Sequence, residues 1–319
     1  MKLAQASLSL VCFLQFTGCR CGQSQEASDA QPSRGTEPKE ARAPALLYFP
    51  DGGDEVLSSP PDAAGQAFHL PRGRCPDDMV DVSGQFCIDR YEASLVDTLR
   101  QRPISPYYYP GRPQTKQSYE RWQRLSPQSA SALGKQMPVP APDDWQLKED
   151  FEPKATSRGG VIPNGYLNGV MSARACANAG KRLCKPAEWQ MACRGAQGRK
   201  FPYGSEYTPG VCNVLRESHP AQLLHLNASI NHTDPRLNLV EDADGRLLRP
   251  TGGSPQCRSE WGSDGAYDMV GNLDEWVEEP SGEFMGGFYS RGTKEGCDAA
   301  ITAHPTSYYD YSLGVRCCR

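Results

Sequence analysis

The stretch "GAYDMVGNLDEWVEE", residues 265–279, carries the most distinctive pattern in the chain. Asp268 and Glu275 supply carboxylates, and the Gly and Asn residues between them are typical of a tight loop. Hard cations such as Ca²⁺ prefer carboxylate and loop-carbonyl oxygens. The stretch therefore predicts a loop that can hold a calcium ion. The alternative is that its acids only cap the loop and form turns.

Two other segments extend this pattern, "AGKRLCKPAEWQMACRG" at 179–195 and "GGFYSRGTKEGC…SLGVRCC" at 286–318. Taken together and in this order, the three segments resemble the formylglycine-generating enzyme family, also called sulfatase-modifying factors. "IDRYEAS" at 88–94 resembles the opening strand of that family. The resemblance covers about 75–96 and 166–319. It implies a single α+β domain related to C-type lectins, loop-rich, low in regular secondary structure and stabilised by disulfides.

Composition and local pattern agree with a loop-rich domain. The chain has 31 glycines and 27 prolines, which favours loops and short strands over long helices. Alternation of apolar and polar residues around Ser83 predicts a hairpin. Residues 172–195 predict two short helices, the first capped by Ser172 and the second opened by Pro186 and stopped by Gly195. The net charge of −4, without a dense Lys/Arg stripe, argues against a nucleic-acid partner.

The N-terminal part indicates an exported, lipid-anchored protein. Residues 1–18 combine one lysine, a short apolar run and small residues, which is typical of a signal peptide. The residues up to Cys19 resemble a bacterial lipobox, so we expect lipidation of Cys19; secretion without lipid is the alternative. Residues 19–70 predict a disordered tether. The domain then covers 71–319, with a proline-rich surface insertion at about 97–165 in which we expect little regular structure.

The cysteines predict a disulfide framework. Ten of the 13 lie in the predicted domain, and an even number in an exported chain favours disulfides. Zinc is the alternative, but no Cys-x-x-Cys pair occurs and the five histidines do not cluster with the cysteines. The family resemblance implies the first two of the following pairs, and short spacing suggests the third: Cys176–Cys317, Cys193–Cys297 and Cys75–Cys87. Spacing does not pair the other four, which are Cys184, Cys212, Cys257 and Cys318.

The resemblance also bears on catalysis. The family enzymes oxidise a sulfatase cysteine to formylglycine with copper and oxygen, and two cysteines hold the soft Cu(I) ion. Here the first of these positions falls on Arg291, which has no lone pair to offer a metal. The second falls on Gly296, or on Cys297 if the alignment shifts by one. Phe288 replaces a serine of the family and Asp274 a tryptophan. Copper is therefore not an expected cofactor of this chain.

Calcium is the cofactor that the resemblance favours. By position, the family's first calcium site falls on the side chains of Asp268 and Glu275 and on the carbonyls of Gly271 and Leu273. A second family site matches less well, because the loop between its two halves aligns poorly. Its positions are Asn213, Val214, Asp244 and Arg246.

A transition-metal site is a further possibility. His219, His225 and His232 lie near one another in the sequence, and Glu217 and Asp234 are close to them. Their spacing fits no facial triad of metal ligands. The segment is typical of a loop, so we expect solvated histidines there.

These patterns predict a binding or interaction module of the sulfatase-modifying-factor family in the cell envelope. Its ligand would be a peptide, protein or glycan held in the groove where the enzymes hold substrate. One alternative is an oxidase or other metalloenzyme of the family that acts on a protein cysteine or a small substrate through a non-standard metal site. A purely structural envelope lipoprotein is the other alternative.

Overall fold

The computed structural model describes residues 75–319. The predicted signal peptide, tether and lipidated Cys19 lie outside the described residues. Inside them the elements are short and mixed, and long loops join them. No helix in this part of the chain is long and apolar enough to cross a membrane. The expected fold class, a loop-rich α+β domain held by disulfides, is confirmed.

The described residues form six α-helices and twelve short strands. The helices are α1 (Arg112–Leu125), α2 (Ala132–Gln136), α3 (Asp144–Lys148), α4 (Gly169–Asn178), α5 (Pro186–Arg194) and α6 (Pro220–His225). The strands are β1 (Met79–Val82), β2 (Phe86–Asp89), β3 (Ala93–Asp97), β4 (Pro153–Ser157), β5 (Arg182–Leu183), β6 (Glu241–Asp242), β7 (Gly245–Arg246), β8 (Asp274–Trp276), β9 (Phe284–Met285), β10 (Ala300–Ile301), β11 (Leu313–Val315) and β12 (Cys317–Cys318).

Two four-stranded sheets organise the domain, with strand orders β1-β2-β12-β5 and β10-β9-β8-β11. β8 and β11 run parallel, so the two C-terminal motifs of the sequence lie side by side. The pairs β3-β4 and β6-β7 form separate two-stranded sheets. The predicted hairpin around Ser83 is the β1-β2 pair, whose turn places Ser83 and Gly84 at positive φ.

The C-terminal strand β12 connects two hydrophobic clusters through adjacent disulfides. Neighbouring residues of a strand point to opposite faces of a sheet. Cys317 accordingly pairs with Cys176 of α4 in one cluster, and Cys318 pairs with Cys184 in the other. All four sulfur-bearing residues are fully buried. The remaining bridges are Cys75–Cys87, Cys193–Cys297 and Cys212–Cys257, so the three pairs expected from the sequence are present.

The two helices predicted at 172–195 exist, but the first starts earlier than expected. α5 begins at Pro186, and the Glu188 side chain accepts a hydrogen bond from the Lys185 amide at its start. α4 begins at Gly169, because the Asn168 side chain accepts from the Met171 amide at 2.7 Å and caps the helix. The prediction that Ser172 is the cap was wrong, since Ser172 lies inside the first turns.

The insertion at 97–165 contains more regular structure than we expected. It holds three helices and strand β4, which pairs with β3 along five residues. Pro113 lies in the first turn of α1, where proline favours a helix start instead of breaking it. Trp122 from the same helix is 2% exposed. The insertion is therefore packed onto the domain and is not only a surface loop.

Candidate functional site

The loop before β8 has a tightly turned backbone. Asp268, Gly271 and Asn272 have φ values of 57°, 82° and 63°, in the left-handed region. A Cβ at Gly271 would lie 2.2 Å from the carbonyl oxygen of Asn213, so only glycine fits there. Left-handed residues other than glycine are strained, and they cluster at functional sites. This turn leads into β8 and places the Glu275 carboxylate in the centre of the domain.

The Glu275 carboxylate lies between the two motif segments and the C-terminal strand. It accepts a hydrogen bond from the indole of Trp189 at 2.6 Å and from the guanidinium of Arg316 at 2.8 Å. Arg316 also donates to the backbone oxygens of Asp89 and Tyr267. Glu275 and Arg316 are 1% and 0% exposed. These contacts explain why the Trp, Glu and Arg residues of the three motifs occur together.

Two more buried carboxylates face the same pair. Glu92 accepts hydrogen bonds from the Leu273 amide and the Asn272 side chain. Asp268 accepts from the Gly252 amide at 2.6 Å, and its other oxygen has no donor among the described residues. Burial, and then the charges of Asp268 and Glu275, raise the pKa of Glu92 well above its usual range. Burial raises the pKa of Asp268 to about 6.

This cluster has an excess of buried negative charge, although within residues 75–319 no three carboxylates converge on one metal position. When ionised, Glu92, Asp268 and Glu275 carry three negative charges, and Arg316 supplies one positive charge. Buried charge without compensation is costly, so either protons or a cation must offset the excess. The donors are all oxygen atoms, as Ca²⁺ prefers. Asp268 has a carboxylate oxygen to offer, whereas Glu275 as a calcium ligand competes with Arg316 and stays a prediction.

The positions at which the family has copper-binding cysteines are occupied by other residues here. Arg291 donates from Nη2 to Oδ2 of Asp274 at 2.6 Å, and the Gly287 amide donates to Oδ1 at 2.9 Å. Asp274 is 0% exposed, and burial raises its pKa to about 7 even though Arg291 opposes the shift. The guanidinium lies 5.8 Å from the ring centre of Phe288. Arg291 therefore contacts two of the other three substituted positions, Asp274 and Phe288.

The second thiol position is closed for a steric reason. Gly296 has a φ of 66°, and a Cβ there would lie 2.4 Å from the backbone oxygen of Lys200. Its neighbour Cys297 is fully buried and bonded to Cys193. All ten cysteines of residues 75–319 are in disulfides. The residues present do not fit a copper site of two thiolates.

Part of the chain is similar to a known protein family. Residues 172–308 match the family model described as "Sulfatase-modifying factor enzyme 1-like domain". The match covers less than half of the chain, and these residues are similar to sulfatase-modifying factors. A 105-residue segment is 32% identical to the formylglycine-generating enzyme of Streptomyces coelicolor, and it covers 32% of this chain and 27% of that enzyme. The chain thus matches about a quarter of the length of this curated relative.

Two solved structures that match part of the chain share little sequence with it. CarF is 14% identical over 73% of this chain and 86% of its own, with a TM-score of 0.37. PvdO from Pseudomonas aeruginosa is 15% identical over 76% of this chain and 88% of its own, with a TM-score of 0.33.

The residues predicted for the second calcium site have other contacts in the structure. The Asn213 side chain donates to the Leu247 carbonyl and to Asn272, and the Asn272 amide donates to the Asn213 carbonyl. Asp244 and Arg246 are exposed on the β6-β7 hairpin, and Val214 is buried in the core. The Arg216 guanidinium contacts Asp242 of this hairpin and removes excess negative charge. The second set stays a sequence prediction.

The three histidines are not brought together as metal ligands. His219 lies 3.1 Å from the Tyr311 hydroxyl, His225 lies 3.1 Å from Asp234, and His232 bonds to a backbone oxygen. Within 75–319 no three Cys, His, Asp or Glu side chains converge to hold a metal ion. The expectation of solvated loop histidines is wrong for His225, whereas His219 and His232 lie in loops and are half-buried. His225 ends helix α6 and is 6% exposed, and burial lowers the pKa of His219.

Sequence reasoning missed Glu92 and Arg316 as site residues. Arg316 interrupts the otherwise apolar run "LGVRCC", which is a usable signal because charged residues in such runs are buried only when they are paired. Glu92 follows Asp89 and Arg90 in "IDRYEAS", and nothing in that pattern distinguishes it from its charged neighbours.

Proposed function

We propose that this domain is a calcium-stabilised binding module of the sulfatase-modifying-factor family that does not oxidise cysteine with copper. The observation that carries the proposal is the ion pair between the partly buried Arg291 and the fully buried Asp274. Each residue replaces one that the family's active enzymes are expected to have. A guanidinium cannot bind Cu(I), and its carboxylate partner stabilises it in that position. The two replacements therefore depend on each other, because Asp274 pairs with the charge that Arg291 introduces.

The disulfides support a role outside the cytosol. Residues 75–319 contain five disulfides, which form and persist most readily in an oxidising compartment. We propose that the domain acts in the cell envelope, attached by the lipid predicted at Cys19, and that it binds a peptide, protein or glycan there.

Aerobic incubation with Cu(I) and a Cys-x-Pro-x-Arg peptide tests the loss of oxidation. We expect no formylglycine in the peptide, because no pair of free thiols is present at the site to hold copper. The peptide should be reduced and alkylated before mass analysis, so that a mixed disulfide is not mistaken for the product. The formylglycine-generating enzyme of Streptomyces coelicolor serves as the positive control. Formylglycine produced by this chain would overturn the proposal.

Thermal unfolding in calcium and in chelator tests the cation site. Calcium at about 100 times its Kd should stabilise the domain by about 2.7 kcal/mol, which raises Tm by several degrees. Asp268→Asn should lose most of this gain and change Tm little in chelator. Asparagine keeps the size of the side chain and tolerates the left-handed backbone at this position.

Asp81→Asn is the matched control for that measurement. Asp81 also accepts one backbone amide at 2.6 Å, from Gly84, but it lies in the β1-β2 hairpin outside the carboxylate cluster. It should keep the full calcium response. An equal Tm gain in wild type and Asp268→Asn would show that Asp268 is not a ligand.

A further inference from the structure

The insertion and the body of the domain enclose a cavity of about 120 Å³. Helix α1 forms one wall with a polar stripe made of Gln114, Gln117, Ser118 and Arg121. These positions are spaced i, i+3, i+4 and i+7, so they lie on one face of the helix. Two amides, a hydroxyl and a guanidinium thus face a single cavity.

Tyrosine rings form the opposite wall: Tyr108, Tyr109, Tyr166 and Tyr309. The hydroxyls of Tyr108 and Tyr166 donate to the backbone oxygens of Pro140 and Asp234, both at 2.6 Å. Those two rings therefore contribute mainly apolar ring surface to the cavity. Tyr109 comes from the insertion and Tyr309 from the body, and their ring centres are 5.0 Å apart.

Trp122 supplies a buried donor at the border of this cavity and of a neighbouring one. Its indole Nε1 is buried and has no hydrogen-bond partner. An unsatisfied buried donor costs about 1–3 kcal/mol, so a ligand atom that accepts a hydrogen bond from it would remove this cost. A buried donor without a partner in a native structure needs an explanation, and a hydrogen bond to a ligand oxygen would provide it.

Arg121 is the charged residue that lines this cavity. It is exposed, and among the described residues no carboxylate lies within ion-pair distance of it. Its guanidinium lies 5.5 Å from the ring centre of Trp122. A guanidinium with its fork of donors free is suited to a carboxylate.

We propose that this cavity binds one uronic-acid unit, that is, a sugar ring carrying a carboxylate. The apolar C–H face of the sugar would pack on the tyrosine rings, and its carboxylate would pair with Arg121. Amides and hydroxyls both donate and accept hydrogen bonds, as sugar hydroxyls require, whereas proline-rich peptides offer mainly acceptors. A cavity of about 150 Å³ holds benzene, so a cavity of about 120 Å³ encloses only part of a sugar ring, and the rest of the ring would lie outside it beside the exposed Arg121.

The proposal rests on the binding role proposed above, and it locates the ligand at the insertion instead of at the family's substrate groove. Its residues lie apart from Arg291 and Asp268 in the chain. Formylglycine formation would therefore overturn the binding role without testing this cavity. If no uronate binds, the ligand proposed for this cavity is wrong, and the copper and calcium results are unchanged.

Saturation-transfer NMR on the full chain tests it, with D-glucuronic acid, D-galacturonic acid and D-glucose as probes. We expect at least one uronate to bind more tightly than glucose. Arg121→Gln should weaken uronate binding about tenfold, which corresponds to about 1.4 kcal/mol, and leave glucose unchanged. Gln117→Leu should weaken both kinds of sugar.

Helix α1 offers matched controls, since Gln123 and Arg124 are exposed and do not line the cavity. Gln123→Leu and Arg124→Gln should bind like wild type. No saturation transfer to either uronate would overturn the proposal, and so would equal losses in the control variants. Binding of poly-L-proline in place of the uronates, abolished by Gln117→Leu, would assign the cavity to a peptide and overturn it as well.

Discussion

Arg316→Met should lower the free energy of unfolding by about 3–5 kcal/mol, which is the usual cost of removing one partner of a buried ion pair. Arg316 is completely buried and donates to both oxygens of Glu275. Without it, Glu275 keeps only the Trp189 indole as a donor, while Glu92 and Asp268 still face it. The backbone oxygens of Asp89 and Tyr267 also lose their guanidinium donor.

Denaturant unfolding followed by circular dichroism measures this loss. Arg316→Lys keeps the positive charge but not the fork of donors, so we expect about half the loss and a variant that still folds. Arg158→Met is the control, because Arg158 is exposed and has no ion pair in the described structure. A loss for Arg316→Met no larger than that of this control would refute the buried pair as a stabilising element.

Removing the Cys176–Cys317 disulfide by a double change to alanine should cost about 3–5 kcal/mol. The bridge spans a sequence separation of 141 residues, but the remaining Cys184–Cys318 bridge still closes nearly the same loop in the unfolded chain. The additional loop, from Cys176 to Cys184 and from Cys317 to Cys318, is only about ten residues long, and the loop-entropy relation gives about 3 kcal/mol for a loop of that size. Both residues are also fully buried, so their replacement loosens the packing between α4 and β12.

The Cys75–Cys87 bridge provides the comparison, since it spans a separation of only 12 residues. For a loop of about 15 residues the same relation gives about 3 kcal/mol. Loop closure therefore predicts similar losses for the two double-alanine variants, unfolded under the same non-reducing conditions. The complete burial of Cys176 and Cys317 should make their variant the less stable of the two. Equal losses would mean that loop closure alone, and not packing, determines the contribution of each bridge.

Much of the domain was predictable from local patterns. Proline, glutamate and glycine at fixed spacing define α5, and Ser83 with the following glycine turns the first hairpin. Helix α1 was missed because its sequence is mostly polar and buries only Thr115 and Trp122. Too few apolar residues repeat at helical spacing there to outweigh the flanking prolines.

The site was harder to predict because its partners are distant in the sequence. Arg291 and Asp274 were noticed as two separate departures, and only the fold shows that they form an ion pair. Glu92 is 181 residues from the Leu273 amide that it accepts from. One sequence contains no information on which of its many acids meet across such distances, unless periodicity or a family pattern links them.

The adjacent cysteines of β12 have a mechanical consequence. One peptide bond connects Cys317 in the cluster beneath α4 to Cys318 in the cluster around Trp189. Displacement of either cluster is transmitted covalently to the other through this short strand. While both bridges are intact, the two halves of the interior are coupled, and the domain should melt in one cooperative transition.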